Sequence, residues 1–223
     1  MMSVQTAKIS AEPAQTSRNS IVRSIAALGL ASGLGLSTSA HAGAPVSAAV
    51  WSELGKVSSL QANFAQVQTR KILKHPLESR GTVRFTRPAS LVWSVLTPMR
   101  STFSLDGKKA TMDVPDVGVH EVIDLGAVPD ANRLATSLMV WLQADATAVE
   151  RDFTAEYRQS PASIRLVPKE TRLAGLVNDM TLDLAESPWR VAAVHFSEPG
   201  GDVVDIVFRG VILDGKAVPD PGP

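Results

Sequence analysis

From residue 81 onward the apolar side chains recur at every second position, and a period of two held over most of a chain commits it to strands. Gly81 to Arg87 places Val83, Phe85 and Arg87 on one face and Thr82, Arg84 and Thr86 on the other. Leu91, Trp93 and Val95 continue the pattern after the Arg87-Pro88 break, followed by Phe103 and Leu105. Asp106-Gly107 supplies a hairpin turn, because glycine accepts positive φ, and Lys108 to Met112 returns beside it. Further strands are predicted over 153–157, 163–167, 180–184, 190–196 and 203–208. Short turns between consecutive strands imply an antiparallel meander rather than βαβ crossovers. About nine or ten strands exceed what a flat sheet tolerates, so the sheet has to bend and its concave face has to be filled.

Two segments depart from that period. Between residues 44 and 71, Val50, Leu54 and Val57 and then Leu60, Phe64 and Val67 recur at spacings of three and four. This predicts amphipathic helix, with Ser58-Ser59 placed to cap its second half. Residues 132–142 carry Leu134, Leu138, Trp141 and Leu142 at helical spacing and predict a second helical segment midway along the chain. The expected architecture is mainly β with helices.

The N-terminus is read as a targeting segment rather than as part of the fold. Arg18 and Arg23 precede an uncharged run of small apolar residues from Ile25 to Leu36, and Ala40-His41-Ala42 follows. These match the basic region, apolar core and small-x-small site of a secretory signal. The run is too short and too rich in Gly and Ser to span a membrane, which takes roughly twenty strongly apolar residues. Cleavage is expected after Ala42, so that 1–42 is the signal peptide, 43–216 one folded domain and 217–223, rich in Pro and Gly, a disordered tail. The mature protein is then exported to the periplasm. With no cysteine in the chain there is neither a disulfide to staple the fold nor an acylated cysteine to anchor it, so packing carries the stability. Twenty-two basic residues balance 22 acidic ones, which argues against nucleic acid, whose binding rests on a basic patch.

No constellation of catalytic residues emerges. His75, His120 and His195 stand apart from one another and from carboxylates at metal-ligand spacing. There is no Gly-x-Ser-x-Gly elbow and no glycine-rich phosphate loop. Asp113 and Asp116 flank Pro115 in a turn and read as solvated residues. No metal, cofactor or enzymatic activity is therefore expected. A curved sheet with large residues on one face makes either a solid core or a lined cavity, and periodicity does not distinguish the two.

Several segments resemble the N-terminal half of the periplasmic lipoprotein carrier family LolA: Ser58-Ser59-Leu60-Gln61-Ala62-Asn63-Phe64-Ala65-Gln66, Gly81-Thr82-Val83-Arg84-Phe85-Thr86-Arg87-Pro88, Leu91-Val92-Trp93, Thr97-Pro98 and Asp106-Gly107. The match is good from Val57 to Gly107 and extends to later strands only as pattern. The resemblance implies an incomplete β-barrel, a curved antiparallel sheet covered by a helical lid over an apolar cavity that shields acyl chains. It gives Arg87 the role of the arginine that bonds lid backbone and keeps the empty carrier closed. It also makes Val83, Phe85, Leu91, Trp93, Phe103 and Leu105, with Leu138, Trp141 and Leu142, the expected lining. The implied function is a soluble carrier or chaperone that takes a lipoprotein or other lipidated cargo from an inner-membrane release complex toward an outer-membrane acceptor, acting as a monomer. The middle helical segment and the chain from Ile212 to Pro219 depart from the family pattern, which marks a divergent member. A lipid-sensing regulatory or scaffold domain bound to a membrane protein is the alternative left open, as is an enzyme acting on exported lipids.

Overall fold

The computed structural model describes residues 49–127, 139–175 and 177–220. The expected signal segment and residues 132–138, with Leu134 and Leu138, lie outside these. Helix α1 (Val50–Gly55) leads into β1 (Ser59–Thr69), β2 (Leu77–Thr86), β3 (Ser90–Thr97), β4 (Ser101–Asp106), β5 (Lys109–Val114), a 3₁₀ turn (Pro115–Val117) and β6 (Val119–Asp124). Helix α2 is described over 139–143. Then come α3 (Ala146–Asp152), β7 (Phe153–Gln159), β8 (Ala162–Pro168), α4 (Thr171–Ala174), β9 (Asp179–Ala185), β10 (Arg190–Ser197), β11 (Val203–Leu213) and β12 (Lys216–Ala217).

The strands form one antiparallel sheet in the order β6-β5-β4-β3-β2-β1-β11-β10-β9-β8-β7, with β12 hairpinned onto β11. It is built from two meanders, β2 to β6 and β7 to β11, and β1 lies between them. The sheet does not close into a barrel, for β6 and β7 stand at opposite edges of that order. Its inner face is one continuous apolar cluster, reaching from Phe103 and Trp93 through Phe64 and Phe208 to Val194, Leu182 and Ile164. Trp93 stacks on Phe64 at 4.3 Å between ring centroids and meets Phe208 edge-on at 6.3 Å. Side chains of β3, β1 and β11 thus share one interior, as a sheet curved around its own concave face requires. Helix α1 covers that face with Val50, Trp51 and Leu54, all buried. The curved sheet with a helical lid agrees with the expected fold class.

The expectation of helix between 44 and 71 holds for Val50–Gly55 and fails for the second half, where Leu60, Phe64 and Val67 lie in β1. In that strand Ala62, Phe64 and Gln66 are buried while Gln61, Asn63 and Ala65 are exposed. This period-two pattern is muted in the sequence because one inward residue is small and another polar. Two neighbouring strands decide the matter by taking up the backbone groups of β1 on both sides. Ser58 and Ser59 do not cap a helix; their backbone N–H groups donate to Asp214 Oδ1 at 2.9 and 2.8 Å.

Other elements escaped the pattern altogether. Strand β6 has no fully buried residue: Ile123 packs partly against the core while Val119 and Val122 are exposed, so apolar residues on both faces obscure the alternation. Helix α3 is short, but Asp145 caps it by accepting from Thr147 and Ala148 N–H at 3.0 and 3.1 Å. Asp214 and Gly215, both at positive φ, turn the chain from β11 into β12. The expected tail is held at its start. Ala217 pairs with Ile212, Val218 N–H donates to Val211 O at 2.9 Å, and Gly210 N–H donates to Asp220 Oδ1 at 2.8 Å. Residues 217–220 therefore lie along β11.

Gly81 marks the tightest approach in the sheet. A Cβ there would stand 1.9 Å from Ser94 O and 2.6 Å from the Phe64 ring, so the missing side chain is what lets Phe64 lie over β2 against Trp93. Gly81→Ala should destabilise by about 1–3 kcal/mol, the usual cost of overpacking, and lower the thermal midpoint. An unchanged midpoint would contradict this contact.

His195 has more partners than its sequence neighbourhood suggests. Nε2 is 2.7 Å from Asp183 Oδ2 and Nδ1 bonds Asp205 Oδ1, both from adjacent strands. Hydrogen bonds to Asp183 and then Asp205 outweigh desolvation and raise its pKa from 6.5 to about 9. A folded-state pKa above the unfolded one means that folding favours the charged form. The contribution is complete below about pH 6.5 and disappears as pH rises through about 9. Urea titrations of the wild type and His195→Gln should show a stability difference that shrinks between pH 6.5 and 10; a constant difference would show that the imidazolium is not what the two carboxylates hold.

Candidate functional site

Between the helices and the concave face lies a cavity of about 50 Å³. Val83 and Phe85 of β2 line it, as do Trp141 and Leu142 of α2, all four expected from the sequence. Leu91, Trp93, Phe103 and Leu105 are buried in the same apolar cluster but outside this wall. Leu138 lies outside the described residues. The rest of the lining comes from parts of the chain that alternation alone could not bring together. Leu54, Val57 and Leu60 belong to the lid and the start of β1, and Trp189, Arg190 and Val191 to the start of β10. Phe208 and Leu213 belong to β11, where register sets Leu213 opposite Leu60. Strand pairing between the two chain ends was the missing information. Arg190 is the charged residue of this lining, among the described residues.

Arg87 sits just past β2, on the same side as Val83 and Phe85, and its guanidinium reaches both helical segments. Nε donates to Val57 O at 2.6 Å, Nη1 to Gln143 O at 2.5 Å and Nη2 to Leu54 O at 3.5 Å. Leu54 and Gln143 lie in the last turns of α1 and α2, where carbonyls carry partial negative charge, and Val57 lies in the link from α1 to β1. A planar cation with several donors in a fixed fork satisfies both ends at once. Arg87 N–H also donates to Ser58 O at 2.9 Å, so the anchor is itself fixed to the sheet. At the other end of α1, Trp51 Nε1 donates to Tyr157 Oη at 3.0 Å. Helix α1 is thereby tied to β7 by one side chain and to the end of β2 by another, across the face that the open sheet leaves uncovered.

No group of His, Asp and Glu capable of holding a metal occurs among the described residues. His120 is 3.4 Å from Asp113, and Asp116 pairs with Arg100 at 2.8 Å, both at the surface. No helix among the described residues is long and apolar enough to cross a membrane.

An unclosed antiparallel sheet with helices fastened over an apolar cavity defines a class of lidded half-barrels. The chain belongs to the LolA family: the model of "Outer membrane lipoprotein carrier protein LolA" matches residues 55–219. No curated protein matches the chain. Among solved structures, a LolA superfamily protein from Nitrosomonas europaea is similar at 10% identity and a TM-score of 0.38, over 77% of this chain and 94% of that one. The Mycobacterium tuberculosis lipoprotein LppX is similar at 10% identity and a TM-score of 0.39, over 78% and 98%. LprF from Mycobacterium bovis is similar at 14% identity and a TM-score of 0.30, over 81% and 99%. Overlaps this loose carry no argument, and the assignment rests on the family match.

The three bonds of Arg87 lead to an expectation about stability that is independent of cargo. Arg87→Leu should expose the α1–β1 connection to exchange, raising amide hydrogen exchange in residues 50–57 by at least about tenfold while β8 to β10 keep their protection. Unchanged exchange in α1 would mean that burial of Trp51 and Leu54 holds the helix without it.

Proposed function

We propose that the mature protein is a soluble periplasmic carrier that shields the acyl chains of a lipoprotein or other lipidated cargo under the lid and passes them toward the outer membrane. The observation that carries this reading is the cavity beneath helices fastened mainly by one arginine. As described it is small: about 50 Å³ compares with roughly 300–1,000 Å³ for sites that enclose small molecules. Cargo has to displace the helices to enter. Burying about a dozen methylenes yields on the order of 10 kcal/mol. Hydrogen bonds to a charged group contribute about 1.5–3 kcal/mol each, so the two energies are of comparable size. A latch of that strength opens for an acyl chain and helps to expel it when an acceptor competes, which is the balance a carrier needs.

Family membership supports the lipoprotein as cargo class, and the signal-like N-terminus supports export. The site is walled by apolar side chains and carries no nucleophile-base pair among the described residues, which favours binding over catalysis. An inner-membrane donor, an outer-membrane acceptor and a monomeric state belong to the same proposal.

Mature protein mixed with a fluorescent acyl probe should give saturable binding that an unlabelled lipopeptide displaces; absence of saturable binding would sink the carrier reading. Arg87→Leu should keep the fold and release bound probe at least about tenfold more slowly, since closing no longer helps eject it. Release as fast as that of the parent would remove the latch role from Arg87.

A further inference from the structure

The cavity wall is apolar apart from Arg190, and Arg190 is the anomaly. The residue is only 4% exposed and has no carboxylate within ion-pair distance among the described residues. Its partners are backbone carbonyls. Nη1 donates to Glu186 O at 3.3 Å and to Pro188 O at 3.1 Å, and Nη2 donates to Pro219 O. A guanidinium has five N–H donors, so these three bonds leave two. One of the two is Nε–H, which is buried and unpartnered. The other is the second hydrogen of Nη2.

Carbonyl dipoles satisfy donors but do not neutralise a charge, and a buried net charge is costly without a counterion. Burial lowers the pKa of Arg190, with Asp220 opposing the shift through its charge alone, yet arginine stays protonated at any physiological pH. Arg87 differs, since each of its guanidinium nitrogens has a carbonyl partner. Gln66 Oε1, Ser79 Oγ and Trp93 Nε1, also buried without partners, are uncharged, and they and Asp205 Oδ2 lie outside the cavity wall.

We infer that Arg190 is the anion-recognising end of the cavity, so that the preferred occupant is an acyl chain carrying a negatively charged oxygen head, a carboxylate or a phosphate ester. The remaining donors of a fork-shaped cation suit two oxygens of one head group. Trp189 and Val191 flank the charge, and Leu60, Val83 and Phe208 offer apolar surface for the chain. This deepens the carrier reading and rests on it, by adding a charge requirement to an otherwise greasy site. A site that only pinned the C-terminal chain through Pro219 would show no such preference.

The test compares amphiphiles of one chain length on delipidated wild-type protein at pH 8: palmitate, hexadecyl phosphate and hexadecanol, with inorganic phosphate as competitor. Palmitate and hexadecyl phosphate should bind at least about tenfold more tightly than hexadecanol. Arg190→Gln should abolish the difference while hexadecanol still binds, and Arg190→Lys should retain much of it. Inorganic phosphate at millimolar concentration should not displace palmitate. Equal affinity for the charged and neutral amphiphiles on the wild type would overturn the assignment whatever the variants do, and would leave the carrier reading standing. Displacement of palmitate by inorganic phosphate at concentrations matching the lipid would overturn the lipid head group in favour of a free anion. Failure of all three amphiphiles to bind would overturn both readings.

Discussion

Pairing of β1 with β2 on one side and β11 on the other joins two meanders that are far apart in sequence. Ten residue pairs from Ser59↔Thr86 to Gln68↔Leu77 tie it to the first, and the register from Leu60↔Leu213 to Thr69↔Val203 ties it to the last strand of the second. The continuous interior follows from that placement. Phe64 of β1 stacks on Trp93 from the first meander and lies opposite Phe208 from the second. The close approach at Gly81 makes this possible by giving the Phe64 ring the space of a side chain. Asp214 then fixes the entry to β1 by accepting from Ser58 and Ser59.

An open sheet of this kind leaves its concave face to be covered by something other than strands, and short helices do it here. A six-residue helix such as α1 has little stability of its own, since helices shorter than about 12–15 residues are marginal in water. It persists by burying Trp51 and Leu54 and by having its terminal carbonyls bonded from the sheet. The two arginines of the site use the same chemistry for different ends. Arg87 bonds carbonyls of α1, of α2 and of the link from α1 to β1. Arg190, in the cavity lining, bonds three turn and tail carbonyls and keeps its Nε–H buried without a partner. Under the proposed carrier reading, reversible loading requires a lid fastened by polar bonds that separates from the apolar core without breaking it.

How much was legible depended on whether the deciding contacts were local. Strands β2 to β5 and β7 to β10 could be read because each shows a greasy face in its own residues, as in Val83 and Phe85 or Ile164 and Leu166. Strand β1 could not, since Ala62 and Gln66 hide its inward face and Leu60, Phe64 and Val67 imitate a helix. Strand β6 gave little signal because its inward face is only partly buried, with Ile123 against the core, while Val119 and Val122 are exposed. Arg87 was found through the resemblance and stands beside the expected inward residues, but its carbonyl partners are about 30 and 56 positions away along the chain. Arg190 was read only as the first residue of a strand.

Alternation in the amino-acid sequence by itself determined an antiparallel β protein with one apolar face, because a period of two depends only on residues adjacent in the chain. The absence of cysteine determined that packing would hold it. Tertiary structure alone decided that β1 is a strand, that Leu60 and Leu213 share a wall with Trp141, and that one buried arginine is bonded by carbonyls and by no carboxylate among the described residues. Those outcomes rest on hydrogen-bond partners and dielectric surroundings supplied by distant segments, and neither is encoded in the spacing of neighbours.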